Sequence, residues 1–77
     1  MYEDKFIENF KSQFIDGDTI AVDASTDFRQ IESWDSLTGM AVLVMIKDEY
    51  GIDMSDTDLK KCKTVGDIID YVSAKSN

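Results

Sequence analysis

Aromatic side chains return at every fourth position near the start of this 77-residue chain, at Tyr2, Phe6, Phe10 and Phe14, with Ile7 and Ile15 beside them. That spacing traces one face of an α-helix and does not fit the two-residue alternation of a half-buried strand. It predicts a first helix over residues 2–15, stopped by Gly17, with its aromatic stripe in the core. The helical period recurs at Val65, Ile68, Ile69 and Val72, in a last helix opened by the capping pattern Thr64-Val65-Gly66-Asp67 and running to about residue 74. Between them, residues 36–50 form a second helix with Asp35 or Ser36 as N-cap and Gly51 as its end. Ser55, with Asp58 three residues on, opens a short third helix that turns Leu59 and Cys62 inward. The chain has no proline and no β-hairpin signal. The expected fold is therefore all-α: a four-helix bundle with a short third helix and a long first loop, spanning residues 1–77 as one domain.

Two regions exceed what a minimal bundle needs. The connection over residues 16–35 is long for a compact domain, where such loops are functional or tied down. It carries Ile20, Val22, Phe28, Ile31 and Trp34, so it is expected to pack on the bundle, with a helical turn near Phe28 to Ile31. The second helix is apolar on more than one face. Gly39, Leu43, Ile46 and Tyr50 form the stripe assigned to the core, while Leu37, Met40, Ala41, Val44 and Met45 lie off it. In so small a domain an apolar second face points to contact with a partner.

Composition removes several function classes. The chain has no histidine, so it holds neither a Ser-His-Asp nor a Cys-His arrangement and no imidazole ligand. A single cysteine forms no internal disulfide and no Cys-rich zinc site; Cys62 reads as a small core residue. Sixteen acidic against eight basic residues, a net charge of −8, argue against nucleic acid and anionic membrane surfaces and favour a basic protein partner. The acidic, interrupted start is unlike a signal peptide, and no apolar run approaches the ~20 residues of a membrane span, so a cytoplasmic protein is expected. Calcium loops fail on position. A loop counted from Asp16 puts Ile20 at position 5 and Ala21 at position 6, and one counted from Asp53 puts Asp58 at position 6 and Thr64 at position 12. No metal site is predicted. The carboxylates read as solvating and capping groups rather than catalytic pairs, and no Gly-rich phosphate loop is present.

What remains is Trp34-Asp35-Ser36-Leu37, where the long loop becomes the second helix. By local chemistry alone Asp35-Ser36 is a cap. A phosphate carried on the serine would also be stabilised there, because the first turn of a helix offers unpaired N–H groups and a positive dipole end. Wider context adds to this. Asp35-Ser36-Leu37, the helix end Lys47-Asp48-Glu49-Tyr50-Gly51-Ile52, and the run Lys63 to Val72 (Thr64-Val65-Gly66-Asp67-Ile68-Ile69-Asp70-Tyr71 between) together resemble the acyl carrier protein family over nearly the whole chain.

The resemblance implies a specific chemistry. The serine matching Ser36 receives 4′-phosphopantetheine from coenzyme A through a phosphopantetheinyl transferase, and the arm's thiol carries acyl groups as thioesters. Asp35 matches the motif aspartate associated with that modification. Leu37 and the exposed face of the second helix, with Met40, Ala41, Val44 and Asp48, match the surface met by acyl-loading and acyl-transferring enzymes. The chain would then be a monomeric carrier and not an enzyme. A serine with no histidine to activate it is a poor nucleophile, consistent with activation by the transferase. Ser33-Trp34 replaces the Gly and small residue common in the family. Thr38 and Ala41 stand where fatty-acid-synthesis carriers have acids, and Lys47 adds positive charge. This form resembles specialised free-standing carriers, including those of polysaccharide and secondary-metabolite (polyketide) pathways, more than general fatty acid biosynthesis. The alternatives are an aminoacyl or peptidyl carrier loaded by an adenylating enzyme, and an unmodified acidic adaptor binding protein through its second helix.

Overall fold

The computed structural model describes residues 2–17 and 19–75, with side chains from Asp4 onward. Its elements are α1 (Tyr2–Lys11), a 3₁₀ turn (Phe28–Gln30), α2 (Ser36–Tyr50), α3 (Asp56–Lys60) and α4 (Val65–Lys75). α1 packs against α2 and α4. One continuous cluster of buried side chains fills the interior, with Phe6, Phe10, Phe28, Val42, Ile46, Val65, Ile68 and Val72 wholly enclosed. The all-α architecture, the short third helix and the long first loop are those expected. An isolated β-bridge between Asp27 and Thr64 is the one strand-like pairing among the described residues.

α1 stops earlier than its aromatic period suggests. Beyond Lys11 the chain continues in tight turns, Gln13 N–H to Phe10 O and Phe14 N–H to Lys11 O. The Ser12 hydroxyl and the Gln13 amide both donate to the Asn9 carbonyl, so side chains take an acceptor that the helix would have used to continue. Phe14 stays in the core, but Ile15, expected beside the stripe, is fully exposed. Gly17 is not the cap of this helix. A Cβ there would overlap the Lys11 carbonyl, so its role is to let the turn fold back on the helix end. The expectation for the Tyr2 side chain lies outside the described residues.

α2 begins and ends where its sequence says. Gly51 is left-handed (φ 69°) and donates its N–H to the Lys47 carbonyl. The buried face is Gly39, Val42, Met45 and Ile46, whereas Leu43 and Tyr50 are only partly covered. Met45 is therefore a core residue and not part of an outer face. The correction is a rotation of the stripe towards Val42, which a helix apolar on several sides does not reveal from periodicity alone.

The long loop is tied down at several of its described residues. The Ser33 hydroxyl donates to Asp16 at 2.8 Å, closing the loop's two ends. Val65 and Gly66 donate their N–H groups to the Thr26 and Ala24 carbonyls, at 3.0 and 2.7 Å, fastening the loop to the start of α4. The latter approach needs glycine, since a Cβ on Gly66 would stand 2.8 Å from the Ala24 carbonyl oxygen. Gly66→Ala should therefore cost about 1–3 kcal/mol through backbone displacement, measured as a lower urea midpoint at unchanged slope. At α3, Ser55 and Asp58 form the expected capping box, and Tyr71 of α4 donates its hydroxyl to Asp58 at 2.8 Å.

Candidate functional site

The backbone at Asp35 is extended (φ −150°, ψ −178°), and its carboxylate accepts the Thr38 N–H at 2.8 Å. Its carbonyl takes the Gly39 N–H at 3.0 Å. Asp35 is thus the N-cap, which leaves the exposed Ser36 as the first helical residue with its hydroxyl not needed for capping. The backbone and side-chain hydrogen bonds from Thr38 hold the Asp35 carboxyl below the usual aspartate range. No acidic residue lies in the first turn of α2 itself, so the positive end of the helix dipole is opposed only by the Asp35 cap.

Asp23, Asp58 and Asp67 are likewise lowered: Asp23 mainly by the Ser25 hydroxyl, Asp58 by the Tyr71 hydroxyl and Asp67 by the Lys63 N–H. For all four, the unfolded chain binds protons more readily than the native one. Their stabilisation is present above the unfolded pKa, near 4, and is lost as pH falls through the lower native values. Asp35→Asn keeps an acceptor for Thr38 but removes the titration, so the loss of stability on acidification below about pH 4 should become shallower. Urea midpoints measured across that range check this.

Ser36 lies on the rim of a groove of about 750 Å³ between α2 and α3. Trp34, Gly39, Met40, Leu43 and Leu59 supply its apolar lining, and Arg29, Asp56 and Lys60 its charges. Arg29, the chain's only arginine, was not singled out from the sequence. Its guanidinium donates to the carbonyls of Leu59 and Cys62 at the end of α3 and sits 4.6 Å from the centroid of the Phe28 ring. It binds one carbonyl in the last turn of α3 and one just beyond it, tying the loop to the chain as it leaves that helix. Its uniqueness in the chain was the only available signal.

The other predicted residues separate into two groups. Leu37, Met40 and Val44 are 76%, 63% and 58% exposed along α2, with Ala41 half-buried between them. Asp48 and Glu49 are exposed further along the same helix. Lys47 pairs with Asp53 at 2.8 Å, so its charge is partly offset on that face. Cys62 is buried, and burial pushes its thiol pKa up, away from a reactive thiolate. Among the described residues no cluster of three potential metal ligands occurs, and no helix is long and apolar enough to cross a membrane.

Residues 12–72 match the family described as "Phosphopantetheine attachment site". The chain belongs to this family, whose cofactor is covalently held 4′-phosphopantetheine. Among curated proteins it is similar to the acyl carrier proteins of Rickettsia canadensis (strain McKiel) and Rickettsia rickettsii (strain Iowa). Each is 40% identical over 55 residues, which cover 69% of this chain and 64% of the relative. The acyl carrier protein of Rickettsia prowazekii (strain Madrid E) matches to the same extent. The match thus spans slightly less than two thirds of these relatives' length.

Proposed function

We propose that this protein is an acyl carrier whose attachment residue is Ser36, working as a monomer in the cytoplasm. The observation that carries the reading is the position of Ser36: exposed, first in α2, released from capping by Asp35, and on the rim of a groove. The groove's mixed lining fits an amphipathic arm, with apolar Trp34, Leu43 and Leu59 beside cationic Arg29 and Lys60. In loading, the Ser36 oxygen forms a bond to phosphorus as the pyrophosphate bond of coenzyme A breaks. The nucleotide half departs, and the serine proton goes to a base that a phosphopantetheinyl transferase must supply, since this chain has no histidine. Once attached, the arm supplies a terminal thiol that holds acyl groups as thioesters; the protein supplies attachment and recognition.

Leu37, Met40, Ala41 and Val44 form the apolar part of the surface offered to loading and transferring enzymes, and Asp48 adds charge that speeds encounter with basic patches. Flexible methionine suits a surface used by several partners. The resemblance of Trp34-Asp35-Ser36-Leu37 to specialised carriers favours a dedicated biosynthetic pathway over general fatty-acid synthesis. The test is intact mass after incubation with coenzyme A and a broad-specificity transferase, with the modified peptide located by fragmentation. One added phosphopantetheine on the peptide containing Ser36 is expected. Folded protein without any gain, or a gain elsewhere, overturns the assignment.

A further inference from the structure

We infer that Trp34 closes the floor of the Ser36 groove and limits the cargo that the protein can cover to short acyl chains. This rests on Ser36 bearing the arm. The occupant of the groove is then that arm with the acyl group it carries, because the attachment residue is itself part of the groove's rim. The indole of Trp34 spans from groove to core. It meets the Phe28 ring edge-on with centroids 4.8 Å apart, lies tilted against Phe14 at 6.1 Å and stacks with Phe10 at 6.4 Å. The benzo edge faces α2 at Gly39, where a Cβ would stand 3.3 Å from Trp34 Cζ2 and 3.8 Å from Leu59 Cδ2.

Trp34 and Leu59 therefore both come up to the bare backbone of Gly39 at the inner side of the groove. Behind the indole, the aromatic side chains of α1 and the loop fill the core, with Phe10 and Phe28 wholly buried. An acyl chain directed inward along the groove meets the indole before it reaches the core. To go further it would have to lift Trp34 away from three phenylalanine rings. Longer chains are left on the surface, available to water and to partner enzymes.

The experiment attaches acetyl-, butyryl-, octanoyl- and lauroyl-phosphopantetheine from the matching acyl-coenzyme A and compares melting temperatures. Each methylene that becomes buried should raise Tm by up to about 3–6 °C. For the native sequence the rise should end at butyryl, and emission from Trp34, the only tryptophan, should change up to that length and no further. Trp34→Phe keeps a ring against Phe28 but removes the benzo atoms at Gly39. In that variant the rise should continue to octanoyl and lauroyl. A steady rise through lauroyl in the native protein overturns the inference without any variant, and so does an identical break in Trp34→Phe. Intact mass separates the two readings. An absent arm overturns the Ser36 assignment and this inference together, whereas a loaded protein without the length break overturns this inference alone.

Discussion

Ser36→Ala should abolish loading by coenzyme A and a phosphopantetheinyl transferase while leaving the fold where it was. The two halves of this expectation have different causes. Loading is lost because the oxygen that would bond phosphorus is gone: Leu37 is apolar, Asp35 is the cap that accepts the Thr38 N–H, and Thr38 is partly buried two residues further into the helix. Stability is retained because the cap of α2 is Asp35. Removing an exposed hydroxyl from the first helical position should move stability by no more than about 0.5 kcal/mol. Asp35→Ala gives the opposite pattern, leaving the Thr38 N–H without its partner and lowering the melting temperature, with the attachment oxygen still present. Intact mass and thermal melts on both variants separate attachment from capping. An adaptor that works without modification would keep its partner binding in Ser36→Ala, and a carrier would lose its function.

The helices were legible because their signals are local. Gly51, the Ser55 and Asp58 capping box and the Val65, Ile68, Ile69, Val72 stripe each act within a few residues, and the structure uses all of them. The early end of α1 was not legible. It depends on Ser12 and Gln13 competing for the Asn9 carbonyl, against an aromatic period that runs on to Phe14. The buried face of α2 was half legible. Gly39 and Ile46 lie on the buried face as expected, but Val42 and Met45 are buried there in place of Leu43 and Tyr50, which the sequence stripe assigns to the core. A nearly all-apolar helix lets the packing of its neighbours choose the face. At the site, the exposure of Ser36 and the cap at Asp35 follow from adjacent residues. Arg29 on the α3 carbonyls and the indole against Gly39 join positions far apart in the chain, and no periodicity records such contacts.

Phe28→Ala should be among the most destabilising single substitutions in this protein, at about 3–5 kcal/mol. Phe28 comes from the long loop and not from a helix, yet its ring is wholly buried. It meets Trp34 edge-on with centroids 4.8 Å apart and Phe10 at 6.3 Å, and the Arg29 guanidinium lies over it. Truncation opens a cavity where those groups converge. Because the loop is pinned at Thr26, Asp27 and Arg29, its backbone has little freedom to collapse into the space. A chain of this length has a total stability of roughly 4–12 kcal/mol, so the loss is a large share of it. The denaturant midpoint should fall with the slope unchanged, and Phe28→Leu, which keeps most of the volume, should recover more than half of the loss. A loss under about 1 kcal/mol would mean that the loop is not held on the core as described. The same ring supports Trp34, so weakening it also loosens the floor of the Ser36 groove. A residue that holds the long loop on the core thus also supports the tryptophan that lines the site, which is a physical reason for so small a domain to keep a loop of that length.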